Sequence, residues 1–213
     1  LNRVNASLEV VERYCANPDT KDICIGPVIW DLHLDAQEVL WVAGYELWSL
    51  DTGSGHLELY EIPEASPFGF TFIEGGSDGD LLWLAGGNGV LYELDTSSGD
   101  YRAHPRAAGQ TPASEDARID SLLRTPDSLW LGARNRLCSL QLDQEDLQCL
   151  SLDPPEGPGL RSQGTWVLHP DGQGGLWLGT SVGLAHFEPQ TGGWRHLTTA
   201  EGLPGSAVYS ILE

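Results

Sequence analysis

Methionine is absent from this 213-residue chain, and basic residues are scarce: 11 lysines and arginines stand against 31 aspartates and glutamates, a formal charge of −20. Such a charge repels the phosphates that dominate nucleic-acid affinity, which argues against DNA or RNA as a partner. It also opposes adsorption to anionic lipid, and we interpret the acidity mainly as a solvation feature. No membrane contact is expected from this segment, because no run approaches the roughly 20 apolar residues of a membrane span. The abrupt start at Leu1, without a signal-like apolar stretch, indicates a piece of a longer protein.

Sequence patterns typical of metal sites are also lacking. The six histidines are scattered, none of them in an HExxH motif, and no Cys-x-x-Cys pair occurs. The turns at Asp78-Gly79 and Asp171-Gly172 could hold Ca²⁺, yet they lack the ligand series of a calcium loop. We therefore expect no metal, no cofactor and no catalytic residue in this chain.

The four cysteines fall into two local pairs, Cys15 with Cys24 and Cys138 with Cys149. Local pairing is the simplest of the three possible connectivities, and oxidised bridges would place the chain in a periplasmic or extracellular compartment. The alternative is four buried free thiols in a cytosolic protein, because cysteine behaves as a small hydrophobe. We favour disulfides, since a hairpin turn over 143–146 would bring Cys138 and Cys149 onto neighbouring strands, close to opposite one another.

One segment recurs four times in the chain, as Val-Leu-Trp-Val-Ala-Gly, Leu-Leu-Trp-Leu-Ala-Gly, Ser-Leu-Trp-Leu-Gly-Ala and Gly-Leu-Trp-Leu-Gly-Thr. The period is long enough for one small antiparallel sheet per copy, and strand-length segments separated by polar turns flank each copy. Such a pattern is typical of a β-propeller, in which each blade is a four-stranded antiparallel sheet packed against its neighbours. The tryptophan strand is then second from the axis, and the tryptophans form core between blades rather than contacting a ligand. They are Trp41, Trp83, Trp130 and Trp177.

The sequence therefore predicts an all-β fold with about four full blades and a partial blade at each end, a fragment of a larger propeller. The full blades are expected over 28–69, 70–118 with a long connecting loop, 119–164 and 165–207. The last two strands of a partial blade and a connection are expected over 1–27, and the first strand of a further blade over 208–213.

Two segments resemble the two-component regulator propeller repeat: Asp171 to Pro189 in the fourth repeat, and, after that repeat, Glu201 to Glu213 with its Gly-Leu-Pro-Gly connection and opening strand. The third repeat departs from the family pattern, with Ala-Arg-Asn-Arg-Leu over 133–137 in place of Gly-Thr-x-x-Gly-Leu. The resemblance implies a periplasmic or extracellular sensory module of a bacterial signalling protein. In that family such propellers precede a membrane span and a kinase or cyclase domain, so any enzymatic output would lie outside this chain.

A noncatalytic sensor that recognises a small molecule or an oligosaccharide is the function that these observations favour. The alternatives are a protein-interaction propeller, including a homo-oligomer formed through unpaired propeller edges, and a fragment of a propeller lyase or hydrolase. Ligand-binding residues are expected in the loops of one propeller face, where arginine can grip a carboxylate in bidentate fashion, unless those arginines only pair with surface acids. The candidates in these loops are Tyr45, Asn88, Arg134, Arg136 and Ser181, and Trp30 and Trp166 join them from the innermost strands.

Overall fold

The structure is a computed structural model that describes residues 2–4, 10–13, 28–62, 69–76, 79–104, 118–142, 147–152 and 164–212. The described residues form short strands joined by turns, with one 3-10 turn at Thr199–Glu201. The strands are β1 (Asn2–Val4), β2 (Val10–Arg13), β3 (Ile29–Leu34), β4 (Val39–Gly44), β5 (Leu47–Asp51), β6 (Leu57–Tyr60), β7 (Phe70–Gly75), β8 (Leu81–Gly86), β9 (Leu91–Asp95), β10 (Tyr101–His104), β11 (Ile119–Arg124), β12 (Ser128–Ala133), β13 (Arg136–Gln141), β14 (Leu147–Ser151), β15 (Thr165–Pro170), β16 (Leu176–Thr180), β17 (Gly183–Glu188) and β18 (Gly193–Leu197).

Sixteen of these strands form four antiparallel sheets in chain order, β3 to β6, β7 to β10, β11 to β14 and β15 to β18, which we call blades 1 to 4. Strands β1 and β2 pair with each other as a separate antiparallel ladder. The first strands of successive blades, β3, β7, β11 and β15, lie side by side, so they line the axis and the tryptophan strands are second from it. The β-propeller prediction is confirmed, and the described sheets do not close into a ring.

Alternation along the second strand of each blade divides its side chains between two interfaces, because successive residues of a strand point to opposite faces. We call the face toward the preceding blade leading and the face toward the next blade trailing. Leu82 and Leu84 point to the leading face of blade 2 and pack with Trp41 of blade 1. The tryptophans of the next two blades behave alike, Trp83 packing with the leucines of blade 3 and Trp130 with those of blade 4.

Trp177 departs from this arrangement. Trp41, Trp83 and Trp130 are 2%, 4% and 9% exposed, whereas Trp177 is half-buried. Its trailing face is the outer face of the last described blade, where no described blade covers it. The expectation that all four tryptophans are inter-blade core thus fails for Trp177 within the described residues.

A first strand of a further blade was expected over 208–213, and the described residues 208–212 do not form it. Residues 208–212 have no ladder partner in the described part of the chain. The inner strand of a blade forms its ladder with the second strand of the same blade, and no second strand is described after these residues. The segment nevertheless lies against blade 4, since the Val208 N–H donates to the Thr180 carbonyl at 2.9 Å.

The disulfide between Cys138 and Cys149 is confirmed. The two residues are directly opposite each other on β13 and β14, and they pack in the cluster between blades 2 and 3. Cys15 and Cys24, the other expected pair, lie outside the described residues. Among the residues that the structure describes, none belongs to a helix with the length and apolarity needed to cross a bilayer.

Candidate functional site

The seven residues expected to bind a ligand all lie at one end of the blades, which we call the upper end. It is the end where first strands begin, second strands pass into third strands and fourth strands finish. Trp30 and Trp166 are the second residues of β3 and β15, and Arg136 begins β13. The others occupy the turns between second and third strands, at Tyr45, Asn88, Arg134 and Ser181.

Two aromatic pairs stand out at the upper end. The rings of Trp30 and Tyr45 meet edge to face, with centroids 5.0 Å apart, and the two side chains are 40% and 53% exposed. On blade 4, Trp166 stacks on Tyr209 with centroids 4.4 Å apart and ring planes 2° apart. Tyr209 is 71% exposed. The sequence did not single out Tyr209, because no motif distinguishes it until the fold places it on Trp166.

Two of the predicted residues lie in short turns, and Asn88 stabilises the turn that holds it. The Asn88 Oδ1 accepts from the Val90 N–H at 3.0 Å, and its Nδ2 donates to the Tyr92 hydroxyl at 3.2 Å. Ser181 stands in a Gly-x-Ser-x-Gly run from Gly179 to Gly183, a pattern shared with the nucleophile elbow of hydrolases. Here the run is a turn between antiparallel strands β16 and β17, not the strand-to-helix turn that an elbow requires.

Arg134 lies close to a buried carboxylate, Asp120, which is 6% exposed. The Arg118 Nε donates to the Asp120 Oδ1 at 2.8 Å. Burial raises the pKa of Asp120, while hydrogen bonding to Arg118 and the positive charges of Arg118 and Arg134 oppose that rise. Arg136 is half-buried and lies opposite Ser151 on β14. Proximity to Asp120 supports pairing with a local acid for Arg134.

The structure also gathers charged residues along the axis that the sequence did not single out. Asp31, Glu74 and Arg124 come from the inner strands of blades 1, 2 and 3, and Glu74 interacts electrostatically with both of the others. The Asp31 Oδ2 accepts from the Ile73 N–H at 3.0 Å. The Arg124 Nε is buried, and it has no hydrogen-bond partner among the residues that the structure describes. Burial, followed by repulsion from Asp31, raises the pKa of Glu74 to about 7, although Arg124 works in the opposite direction.

We expect Glu74→Gln to make the protein less sensitive to pH. Because the folded pKa is above the ordinary value of 4.5, stability should fall as pH rises from about 4.5 to about 7, where ionised Glu74 disfavours the folded state. Glu74→Gln removes this cost and should raise the urea midpoint at pH 8 more than at pH 5. Urea unfolding of the variant, the wild-type protein and Glu58→Gln, an exposed control, tests this at both pH values. An unchanged pH dependence in Glu74→Gln would contradict it.

The aspartates of the lower end, opposite to the upper end, stabilise turns. The Asp171 Oδ1 accepts from the N–H groups of Gln173 and Gly175 at 2.8 and 2.7 Å, and its Oδ2 lies 2.8 Å from the His186 Nε2. The Gln173 N–H and then the His186 ring hold the pKa of Asp171 below its ordinary value. Asp35 caps the corresponding turn of blade 1 and accepts from the Trp41 Nε1 at 2.8 Å. In the described part of the chain, no group of histidine, cysteine or acidic side chains could hold a metal ion.

A cleft of about 710 Å³ lies between blades 3 and 4, toward the lower end. Its apolar wall includes Trp130, Leu150 and Phe187, and three carboxamides line it at Gln141, Gln148 and Gln190. Among the described residues that line it, Asp127 is the one with a charged side chain. No sequence motif indicated this cleft, because its residues come from turns and from several strands of two repeats.

Comparisons with known proteins support the fold. No protein-family model matches the sequence, and no curated protein matches it. Among solved structures, the chain is similar to the extracellular domain of a proposed hybrid two-component system of B. thetaiotaomicron, BT3049, with a TM-score of 0.70 and 14% identity over 94% of this chain and 26% of that one. The extracellular domain of a second such system of B. thetaiotaomicron, BT4673, gives a TM-score of 0.70 and 17% identity over 89% of this chain and 25% of that one. The WD40 propeller domain of Doa1 gives 0.56 and 11% identity over 75% of this chain and 49% of that one. The chain spans about a quarter of the first two, and at these identities the likeness shows a propeller fold.

Proposed function

We propose that this chain is a noncatalytic, extracytoplasmic sensory module of a bacterial signal-transduction protein, and that it recognises a small molecule or oligosaccharide at the upper end of its blades. The observation that carries the proposal is the pair of aromatic clusters there, Trp30 with Tyr45 and Trp166 with Tyr209. Tryptophan and tyrosine rings combine an apolar body with a polar tip, which suits a ligand that has an apolar face and hydrated polar groups at its edge. Sugars have that character.

Charge narrows the ligand class further. With a formal charge of −20, the chain disfavours sulfated, phosphorylated or uronic-acid-rich ligands, so the proposed saccharide is neutral. A sensory role outside the cytoplasm is supported by the Cys138–Cys149 disulfide, because such bridges persist in oxidising compartments. It is also supported by the propeller fold shared with extracellular domains of two-component systems. Binding would then pass onward as a conformational or association signal to domains outside this chain.

A neutral oligosaccharide should raise the thermal midpoint, and Trp166→Ala should weaken that binding at least tenfold by removing one ring of the stacked pair. The screen uses thermal shift with neutral gluco-, xylo- and manno-oligosaccharides beside a sulfated one, followed by calorimetry. Trp194→Ala is the matched control, because Trp194 is a half-buried tryptophan on the outer strand of the same blade. No response to any neutral saccharide would contradict the proposed ligand class. Turnover of a glycan by the purified chain would contradict the noncatalytic assignment.

Protein interaction is the second candidate function, favoured by two exposed leucines of the inner strand on the leading face of blade 1. Leu32 and Leu34 are 47% and 59% exposed there, although in blade 2 the corresponding face packs against a neighbour. Mass that rises with concentration, without any ligand response, would favour this function.

A further inference from the structure

The outer strands of the four blades differ at one shared register position. The residue opposite the third-strand partner of the repeat tryptophan is Glu58 in blade 1, Arg102 in blade 2 and Arg195 in blade 4. In blade 3 the same position holds Gln148, and the whole strand β14 reads Leu-Gln-Cys-Leu-Ser without any charge. A charge on an outer strand discourages pairing with a strand of another chain. Blade 3 lacks this protection.

The backbone of β14 is set up for such pairing. Cys149 is opposite Cys138 with Cα atoms 4.0 Å apart, the close spacing of an antiparallel pair that exchanges no ladder hydrogen bonds. The N–H and C=O of Cys149 therefore point away from β13, toward the outer edge. In the described part of the chain, β13 is the sole strand neighbour of β14. The disulfide ties the strand to its neighbour at the same position.

A receptive surface lies beside this edge. Side chains of Gln148 and Leu150 line the cleft between blades 3 and 4, and Leu150 is 46% exposed. A strand added along β14 would direct every second side chain into that cleft, because side chains alternate between the faces of a sheet. The described residues of the cleft give it the apolar wall of Trp130 and Phe187, and Asp127 is the one charged side chain among them. It therefore suits uncharged side chains.

We propose that β14 is a docking edge for an extended peptide segment of a protein partner, which adds to blade 3 as a fifth strand and places uncharged side chains in the cleft. Main-chain hydrogen bonds supply the affinity in this mode of recognition, and the cleft supplies the selectivity for alternate side chains. The site is at the outer rim, away from the aromatic pairs of the upper end. Peptide docking at β14 is therefore independent of the proposed saccharide binding, and each can be tested without the other.

The test uses the 213-residue chain and a synthetic probe, acetyl-Lys-Thr-Val-Thr-Val-Thr-Lys-amide, with a control peptide that has proline in place of the central threonine. We expect fluorescence anisotropy to show saturable binding of the first peptide and binding at least tenfold weaker for the second, because proline removes a ladder donor. Backbone hydrogen exchange should slow at Cys149 when the first peptide binds. Protection confined to β6, β10 or β18 would overturn the assignment.

The decisive variant is Gln148→Glu, which restores to blade 3 the kind of residue that Glu58 supplies in blade 1. Gln37→Glu, at an exposed turn of blade 1, is the matched control with the same change of charge. Simple attraction of the basic peptide would tighten binding to both variants. Docking on β14 predicts that Gln148→Glu binds at least tenfold more weakly, because the carboxylate loses water as the strand pairs.

Three further results would overturn the proposal. The first is equal binding by Gln148→Glu and Gln37→Glu. The second is slow exchange of the Cys149 N–H in the free monomer, which would show that the chain covers its own edge. The third is protection of this edge that appears with rising protein concentration alone, which would identify the occupant as a second copy of the chain.

Discussion

Replacing Trp41 with alanine should lower the free energy of unfolding by about 3–5 kcal/mol, whereas Trp177→Ala should cost about 1–2 kcal/mol. The two residues hold the same place in the repeat, but Trp41 is 2% exposed and packs among Leu82, Tyr92 and their neighbours in blade 2. Trp41→Ala also removes the hydrogen bond from Nε1 to the Asp35 Oδ2, 2.8 Å long, and leaves that oxygen without its donor. Trp177 is half-buried and has no described blade on its trailing face.

Urea unfolding followed by circular dichroism measures both losses. Blades of a repeat protein contact mainly their neighbours, so coincidence of the transitions seen by fluorescence and by circular dichroism is required before the midpoints are converted to free energies. Phenylalanine variants at both positions serve as milder controls. If both alanine substitutions lower the free energy of unfolding equally, then another part of this chain packs on Trp177. That result would contradict our interpretation that the trailing face of Trp177 is uncovered.

The blades could be predicted because their signals are local. Alternating apolar residues and Asp- and Gly-containing turns specify strands and hairpins within about 45 residues, and the repeated tryptophan gives the period. The turn at Asp51 was predicted correctly from its sequence. The Asp51 Oδ1 accepts from the N–H groups of Gly53 and Ser54 at 2.9 and 2.7 Å. Asp95 repeats this geometry with Ser97 and Ser98. Part of the acidity that the composition suggests to be solvating thus stabilises turns.

The candidate site was only partly predictable, because its parts meet through long-range packing. The sequence indicated one propeller face, and the structure places all seven candidate residues at the upper end, four in turns and three on strands. Whether they bind a ligand stays a prediction. Asp31, Glu74 and Arg124 are on three different repeats, and only the stacking of inner strands brings them together. Tyr209 and the cleft between blades 3 and 4 depend on contacts between blades in the same way. No local pattern encodes such neighbours.

The exposure of Trp177 in the last described blade could not be predicted from the repeat pattern either. A repeat pattern treats every copy alike, so it predicts the same environment for Trp177 as for Trp41. Among the described blades the last copy instead has one neighbouring blade fewer, and residues 208–212 have no ladder partner in the described part of the chain. The same repeat tryptophan therefore contributes a different free energy of stabilisation in different blades, because the number of neighbouring blades differs.

Removing the Cys138–Cys149 bridge should cost about 3 kcal/mol, the second-largest effect that we expect from a local change. The two cysteines are 11 residues apart, and cross-linking a short loop lowers the entropy of the unfolded chain by about that amount. The double variant Cys138→Ala/Cys149→Ala leaves Cys15 and Cys24 untouched, so urea unfolding without reductant compares it directly with the wild-type protein. The matched control is Ser139→Ala/Gln148→Ala, the adjacent cross-strand pair, which should lose less than about 1 kcal/mol.

The loss should be concentrated in β14, because an outer strand has one neighbour in its sheet and the bridge holds it to that neighbour at its central residue. Hydrogen exchange in the double alanine variant is then expected to speed up at Gln148 and Leu150, whose N–H groups face β13, while β16 of blade 4 exchanges as before. Uniform acceleration across all four blades would show that the bridge acts on global unfolding alone. Faster exchange confined to β14 would show instead that the disulfide holds β14, the one uncharged outer strand of the described blades, in register with β13.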